Sequence, residues 1–98
     1  MERINKSIIF LKQKGVRDTF YILTQFENYK TDMKTFHKEL KKVSYYNSFY
    51  RAKDALIKSG IIIIKKYNKK KYIALSTKGI TIYNKLIELA ELLREPKQ

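Results

Sequence analysis

Ninety-eight residues, 44% hydrophobic and 32% charged with one Pro and three Gly, specify one globular domain with a modest core. That excludes a disordered chain, and the lack of Cys excludes a disulfide framework or a thiolate metal site. A formal net charge of +13 points instead to a polyanionic partner.

The charge is uneven. Residues 1–43 hold ten basic and five acidic side chains, and residues 44–78 hold nine basic ones against a single acid, Asp54. Residues 79–98 hold three of each and are otherwise apolar. This asymmetry assigns two jobs, polyanion contact and contact with another protein surface. The longest apolar runs are Ile8–Leu11 and Ile61–Ile64, too short for a membrane span or a typical secretory core. An intracellular protein is expected, in a cytoplasm, on a nucleoid or inside a host cell. Heavy use of Ile, Lys, Asn and Tyr fits an AT-rich genome, microbial or viral.

Residues 1–15 fit a short helix on Ile4, Ile8 and Leu11 or a strand over Ile8–Leu11, and Gly15 is expected to break it. Residues 16–28 read as a helix. Val16, Phe20, Leu23 and Phe26 or Glu27 share one face, with Arg17, Thr24, Gln25 and Asn28 outside it. Tyr29-Lys30 is a short link or a minimal strand. Thr31 or Asp32 can cap the next helix, since either side-chain oxygen can accept from an orphan amide. That helix carries Met33, Phe36, His37 and Leu40 at helical spacing and is expected to end near Leu40, with Lys41-Lys42-Val43 as the turn.

Ser44 is a plausible cap for a helix over 44–59. At about 100° per residue, Tyr45, Phe49, Ala52 and Leu56 share its apolar face. Ser44, Asn47, Ser48, Arg51 and Ala55 lie opposite, and Lys53 falls near the edge of the apolar face. Gly60 suits a left-handed C-terminal cap. Ile61–Ile64 is β-branched throughout, which predicts a strand to Tyr67 and a hairpin partner over Tyr72–Leu75. The tip is Asn68-Lys69-Lys70-Lys71, where Asn68 best tolerates positive φ. Ser76 caps a last helix that runs to about Arg94, before Pro96. The fold class is mainly α with a small β-hairpin (α+β), in the order helix, helix, helix, hairpin, helix, and no linker divides the chain.

Gly60-Ile61-Ile62 and Leu75-Ser76-Thr77-Lys78-Gly79 resemble the steps after the recognition helix and after the wing in winged-helix regulators of the MarR, ArsR and PadR type. Phe36-x-x-Glu39-Leu40 looks like their second helix, and Phe49-Tyr50-Arg51-Ala52 resembles part of the PadR-type recognition helix. The likeness runs from about Val16 to Gly79. It departs at Lys53, where those families usually carry an apolar residue, and at the tip, which lacks an acidic-Gly turn. The resemblance implies a helix-turn-helix and wing over 16–78, preceded by an N-terminal extension over 1–15. The charge-neutral, apolar last helix over 77–94 is the expected dimerisation helix.

Four constellations carry the functional reading. The wing lysines Lys65, Lys66, Lys69, Lys70 and Lys71, with Asn68 at the tip, suit phosphate contact; a solvated hairpin that resists edge pairing is the plain alternative. Lys41 and Lys42 lead into the polar helix and extend the cationic track. On that helix, Asn47 and Arg51 stand one turn apart, where Asn can pair with adenine and Arg with guanine; a phosphate or solvent contact is the plain alternative. Ser44, Tyr46, Ser48 and Tyr50 border them, and the two tyrosines can pack on sugar or donate to phosphate. Finally Ile82, Tyr83, Leu86, Leu89, Ala90 and Leu93 form one stripe on the last helix, widened by Ile80 and Ile87. The stripe either covers its own core or forms a dimer seam, and its breadth favours the seam.

His37 is the sole His and reads as structural. There is no nucleophile–base pair, no paired carboxylates and no phosphate-binding Gly loop, so the sequence points away from an enzyme and calls for no cofactor or metal. It also demands no small-molecule effector and no membrane. The expected protein is a sequence-specific regulator that binds duplex DNA as a homodimer. Two rivals are a sequence-independent architectural protein on DNA or RNA and a winged-helix module that binds another protein.

Overall fold

Gln13 takes an extended backbone (φ −61°, ψ 138°) and so separates two N-terminal helices, α1 (Glu2–Lys12) and α2 (Lys14–Leu23). The computed structural model describes residues 2–43 and 46–94, the side chains of residues 2–5 and of Tyr46 excepted. The first fifteen residues therefore hold a helix rather than a strand, and Gly15 does not break it. Gly15 lies inside the first turn of α2 and is buried against the backbone carbonyl of Ser48; a β-carbon there would collide with that oxygen. Its lack of a side chain serves helix packing rather than chain reversal.

The second helix is shorter than the periodicity predicts. It ends at Leu23, with Thr24 as its C-terminal cap. The Thr24 hydroxyl donates to the Phe20 carbonyl at 2.8 Å, competing with onward helix bonding. A 3₁₀ turn follows at Glu27–Tyr29, where Asn28 and Tyr29 both take positive φ (59° and 56°) and redirect the chain.

The link then becomes a strand, β1 (Lys30–Asp32). Asp32 caps α3 (Met33–Val43): the Thr35 amide donates to Asp32 Oδ2 at 3.1 Å, and the Thr35 hydroxyl donates to Oδ1 at 2.8 Å. α3 outruns its expected end at Leu40, so Lys41, Lys42 and Val43 form its last turn instead of the connecting turn. Two lysines at a helix C-terminus are favoured there by the helix dipole. α4 (Tyr46–Lys58) follows. The predicted cap Ser44 and the neighbouring Tyr45 lie outside the described residues. Gly60 takes φ 78°, as a left-handed cap requires.

The hairpin is longer than its sequence pattern suggests: β2 (Ile62–Tyr67) and β3 (Lys70–Leu75) leave only Asn68 and Lys69 in the turn. Both take positive φ (51° and 67°), as a two-residue type I′ turn demands. Lys70 and Lys71 are strand residues, not tip residues. The sheet is antiparallel in the order β1-β3-β2, with Lys30 facing Ala74 and Asp32 facing Tyr72 on one side of β3. Ile62 faces Leu75 and Tyr67 faces Lys70 on the other.

Ser76 opens α5 (Thr77–Arg94) by accepting the Gly79 amide at 2.9 Å through its hydroxyl. The same hydroxyl donates to the Gly60 carbonyl and approaches that of Ile61 at 3.1 Å, which ties the start of α5 to the start of the wing. Gly79 packs its bare Cα against the Ile61 carbonyl.

One core unites these elements. Val16, Phe20, Ile22 and Leu23 of α2 meet Phe36 and Leu40 of α3 and Phe49, Ala52 and Leu56 of α4. Ile61, Ile62, Ile73 and Leu75 close it from the hairpin side. Phe36 and Phe49 meet edge to face with centroids 4.9 Å apart, a geometry that aligns the positive ring edge with the negative face. The nearly buried Asp18 carboxylate is paired with Lys14 at 3.2 Å, and the Lys14 ammonium also donates to the Val43 carbonyl at the end of α3. The first turn of α2 is thereby held to the last turn of α3.

Candidate nucleic-acid interface

α4 is positioned by Phe49, Ala52 and Leu56, the side chains it buries among the described residues. These fix its rotation. Asn47, Arg51, Asp54 and Lys58 are all exposed and fall within about 60° of one another on the far side, at 100° per residue. Asn47 and Arg51 thus share an open face, as their spacing implies. Asp54 and Lys58 join them; the same helical spacing would have found both. Ser48 does not share that face. It is half-buried at the seam with α2, where its carbonyl meets Gly15. Arg51 sits at the edge of the same seam, over a shallow hollow lined also by Gln13, Lys14 and Ser48.

Tyr50 is exposed and leans across to α3. Its hydroxyl lies 2.5 Å from His37 Nε2, and the Lys53 ammonium sits 5.5 Å from its ring centroid. The ring also stands edge-on to Phe49. Burial, aided by the positive charges of Lys41 and Lys53, lowers the His37 pKa. A neutral imidazole can accept the Tyr50 proton through Nε2, which fits the structural role expected for this His. Tyr50 is therefore a brace between the two helices as well as a surface aromatic. Tyr46 begins α4, and Ser44 lies outside the described residues.

Lys41 and Lys42 are exposed at the end of α3, and Lys42 pairs with Glu39 at 3.2 Å. Such a pair at the solvent boundary is weak and readily exchanged for another anion.

Strand alternation divides the wing lysines. Ile62 and Ile64 of β2, with Ile73 and Leu75 of β3, turn towards the core. By the period of two, Lys66 and Lys71, which pair across the strands, extend that core-side face beyond the helices. Lys65 and Lys70 point to the opposite, outer face, and Asn68 and Lys69 form the turn. The five lysines read as one patch in sequence are two patches and a tip.

The apolar stripe of α5 is likewise divided. Ile82, Tyr83 and Leu86 are half-buried against the domain's own core, with Tyr83 stacked on Phe20 at 5.9 Å between centroids. Leu89, Ala90 and Leu93 extend past that core, and Leu89 and Leu93 are 52% and 79% exposed. Ile87 and Leu92 are exposed beside them, as are Ile8 and Ile9 on α1. Among the described residues no group of three His, Cys, Asp or Glu is arranged to hold a metal ion, and no helix is long and apolar enough to cross a membrane.

The whole arrangement superimposes on the crystal structure of an ArsR family transcriptional regulator, with a TM-score of 0.56 over 98% of this chain and 95% of that one, at 20% sequence identity. The fold is a winged helix-turn-helix. In its terms α3 and α4 are the helix pair, α4 stands in the recognition position, and β2 with β3 forms the wing. The wing is backed by a third strand, β1, which makes the sheet three-stranded rather than a bare hairpin. No protein-family model and no curated protein matches the sequence.

Proposed function

We propose that this winged-helix protein is a transcriptional regulator that binds duplex DNA in a sequence-specific manner as a homodimer. The exposed face of α4 carries the reading. It offers Asn47, Arg51 and Asp54 together, one group each suited to adenine, guanine and the cytosine amine. A face built only to grip phosphate gains nothing from an acid among its exposed groups. Asp54 thus favours base readout over a purely architectural role.

In this reading α4 enters the major groove. Lys41 and Lys42 flank it, and the core-side lysines Lys66 and Lys71 with Lys69 at the tip reach the adjoining backbone. Tyr46 lies at the end of α4 that leads into the groove. The exposed end of α5, from Leu89 to Leu93, pairs with its counterpart in a second copy, joined by Ile8 and Ile9. Two copies then present two recognition helices about one DNA turn, roughly 34 Å, apart. The regulator function rests on its fold and on this surface; no catalytic step is invoked.

Selection of bound duplexes from a random pool at moderate salt tests the proposal. The expected result is an enriched palindrome with half-sites about one helical turn apart. Retention without enrichment, falling steeply with salt, would replace it with sequence-independent binding. No retention would leave the protein-interaction module.

A further inference from the structure

The outer face of the sheet is a second surface that duplex recognition by α4 leaves unused. Lys30 of β1, Ile63, Lys65 and Tyr67 of β2, and Tyr72 and Ala74 of β3 line an open concavity of about 530 Å³. That volume is within the range of sites that hold an organic ligand. Among the described residues no helix covers it: Tyr67 is 68% exposed and Ile63 41%. Lys65 lies directly across from Tyr72, and Tyr67 across from Lys70, so the two tyrosines are diagonal neighbours flanked by two cations. Lys30, across from Ala74, adds a third. The one acid at this register is Asp32, across from Tyr72, and its carboxylate is turned into the cap of α3 by Thr35.

We propose that this face binds an unpaired nucleic-acid strand, with bases stacked on Tyr67 and Tyr72 and phosphates held by Lys30, Lys65 and Lys70. An exposed ring, Tyr67, and a half-buried one, Tyr72, interleaved with lysines match the two repeating features of a single strand, its π-faces and its charges. A duplex hides its base faces in the stack and can use only the lysines. The cations spread along β3 from Lys70 to the level of Ala74, four residues or roughly 14 Å at strand rise. A free nucleotide carries its phosphate at one point, whereas a strand brings successive phosphates to all three amines. The surface lies on the opposite side of the wing from Lys66 and Lys71, so it can be occupied independently of α4.

Titration of the full chain with a labelled single-stranded oligothymidine at physiological salt, read by anisotropy, tests this. Wild type should bind, Tyr67→Phe should bind equally well, and Tyr67→Ala should bind about 5- to 150-fold more weakly, the loss of one stacked base. Because Tyr67 is exposed, circular dichroism of both variants should match wild type. Duplex affinity of Tyr67→Ala should be unchanged. The two proposals thus fail separately: strand binding that depends on Tyr67 stands even if no duplex is bound. Equal strand affinity for Tyr67→Ala and wild type would overturn the inference. So would displacement of the strand by an equimolar amount of thymidine monophosphate, which would make a free nucleotide the occupant.

Discussion

Lys69 holds φ at 67°, a left-handed conformation that side chains beyond glycine resist. With Asn68 before it, the turn is one substitution from the Asn-Gly pair that type I′ hairpins favour. Lys69→Gly should therefore stabilise the domain by about 1 kcal/mol, read as a higher denaturant midpoint. No change would show that the turn is not the strained step. At the same scale, His37 links stability to pH. Its folded pKa lies below the ordinary 6.5 through burial first and the charges of Lys41 and Lys53 second. The unfolded chain therefore binds the proton more readily, and the contribution is intact above pH 6.5 and lost as pH falls through the folded value. Protonation also removes the acceptor for Tyr50. Thermal midpoints should drop on acidification below pH 6.5, and His37→Gln should flatten that part of the profile. Asp32 acts in a separate window. Its pKa is lowered chiefly by the Thr35 hydroxyl, so its cap weakens only as pH falls below 3.8.

Among elements, the α2–α4 seam decides where α4 stands. Gly15 lets the backbone of α2 approach the Ser48 carbonyl, and a methyl group has no room there. Gly15→Ala should cost about 1–3 kcal/mol, as overpacked sites do, and should weaken duplex binding in the material that remains folded. Unaltered stability would mean the helices can part without penalty. The wing gives a second test. Lys66 and Lys71 share the core-side face, so Lys66→Ala with Lys71→Ala should weaken all duplexes by a similar factor. The log–log salt slope should fall by about 0.9 per lysine that neutralises a phosphate. A slope equal to wild type would place both amines away from DNA.

At the scale of the whole molecule, the protein is elongated. It measures 53 × 30 × 26 Å, with a radius of gyration of 14.3 Å, against about 13 Å for a compact chain of this length. Apolar side chains near the end of α5 lie exposed on this long body. Leu89 is not needed by its own core, so Leu89→Glu should leave a folded chain by circular dichroism. The acid would be desolvated at a dimer seam, and sedimentation should show monomers. Leu86 is half-buried against the core, and Leu86→Glu should unfold the domain instead. A wild-type protein that sediments as a monomer at tens of micromolar, roughly the working range of such measurements, would sink the homodimer.

What the amino-acid sequence determined by itself is what depends on neighbours a few residues apart. Phe49, Ala52 and Leu56 announce a buried helical face by their spacing. Asp32, Gly60 and Ser76 announce helix ends because each satisfies or permits backbone geometry within a few residues of itself. Tertiary structure decided everything that depends on a distant partner. Gly15 reads as a breaker until the Ser48 carbonyl is placed against it. Lys30–Asp32 becomes a strand because β3 supplies the hydrogen-bond partners that three residues cannot supply to one another. Lys65 and Lys66 are interchangeable in composition, yet hairpin register sends them to opposite faces, because strand side chains alternate and a one-residue shift reverses every one of them. The stripe of α5 is continuous in sequence and divided in space, because the core it packs on ends before the helix does.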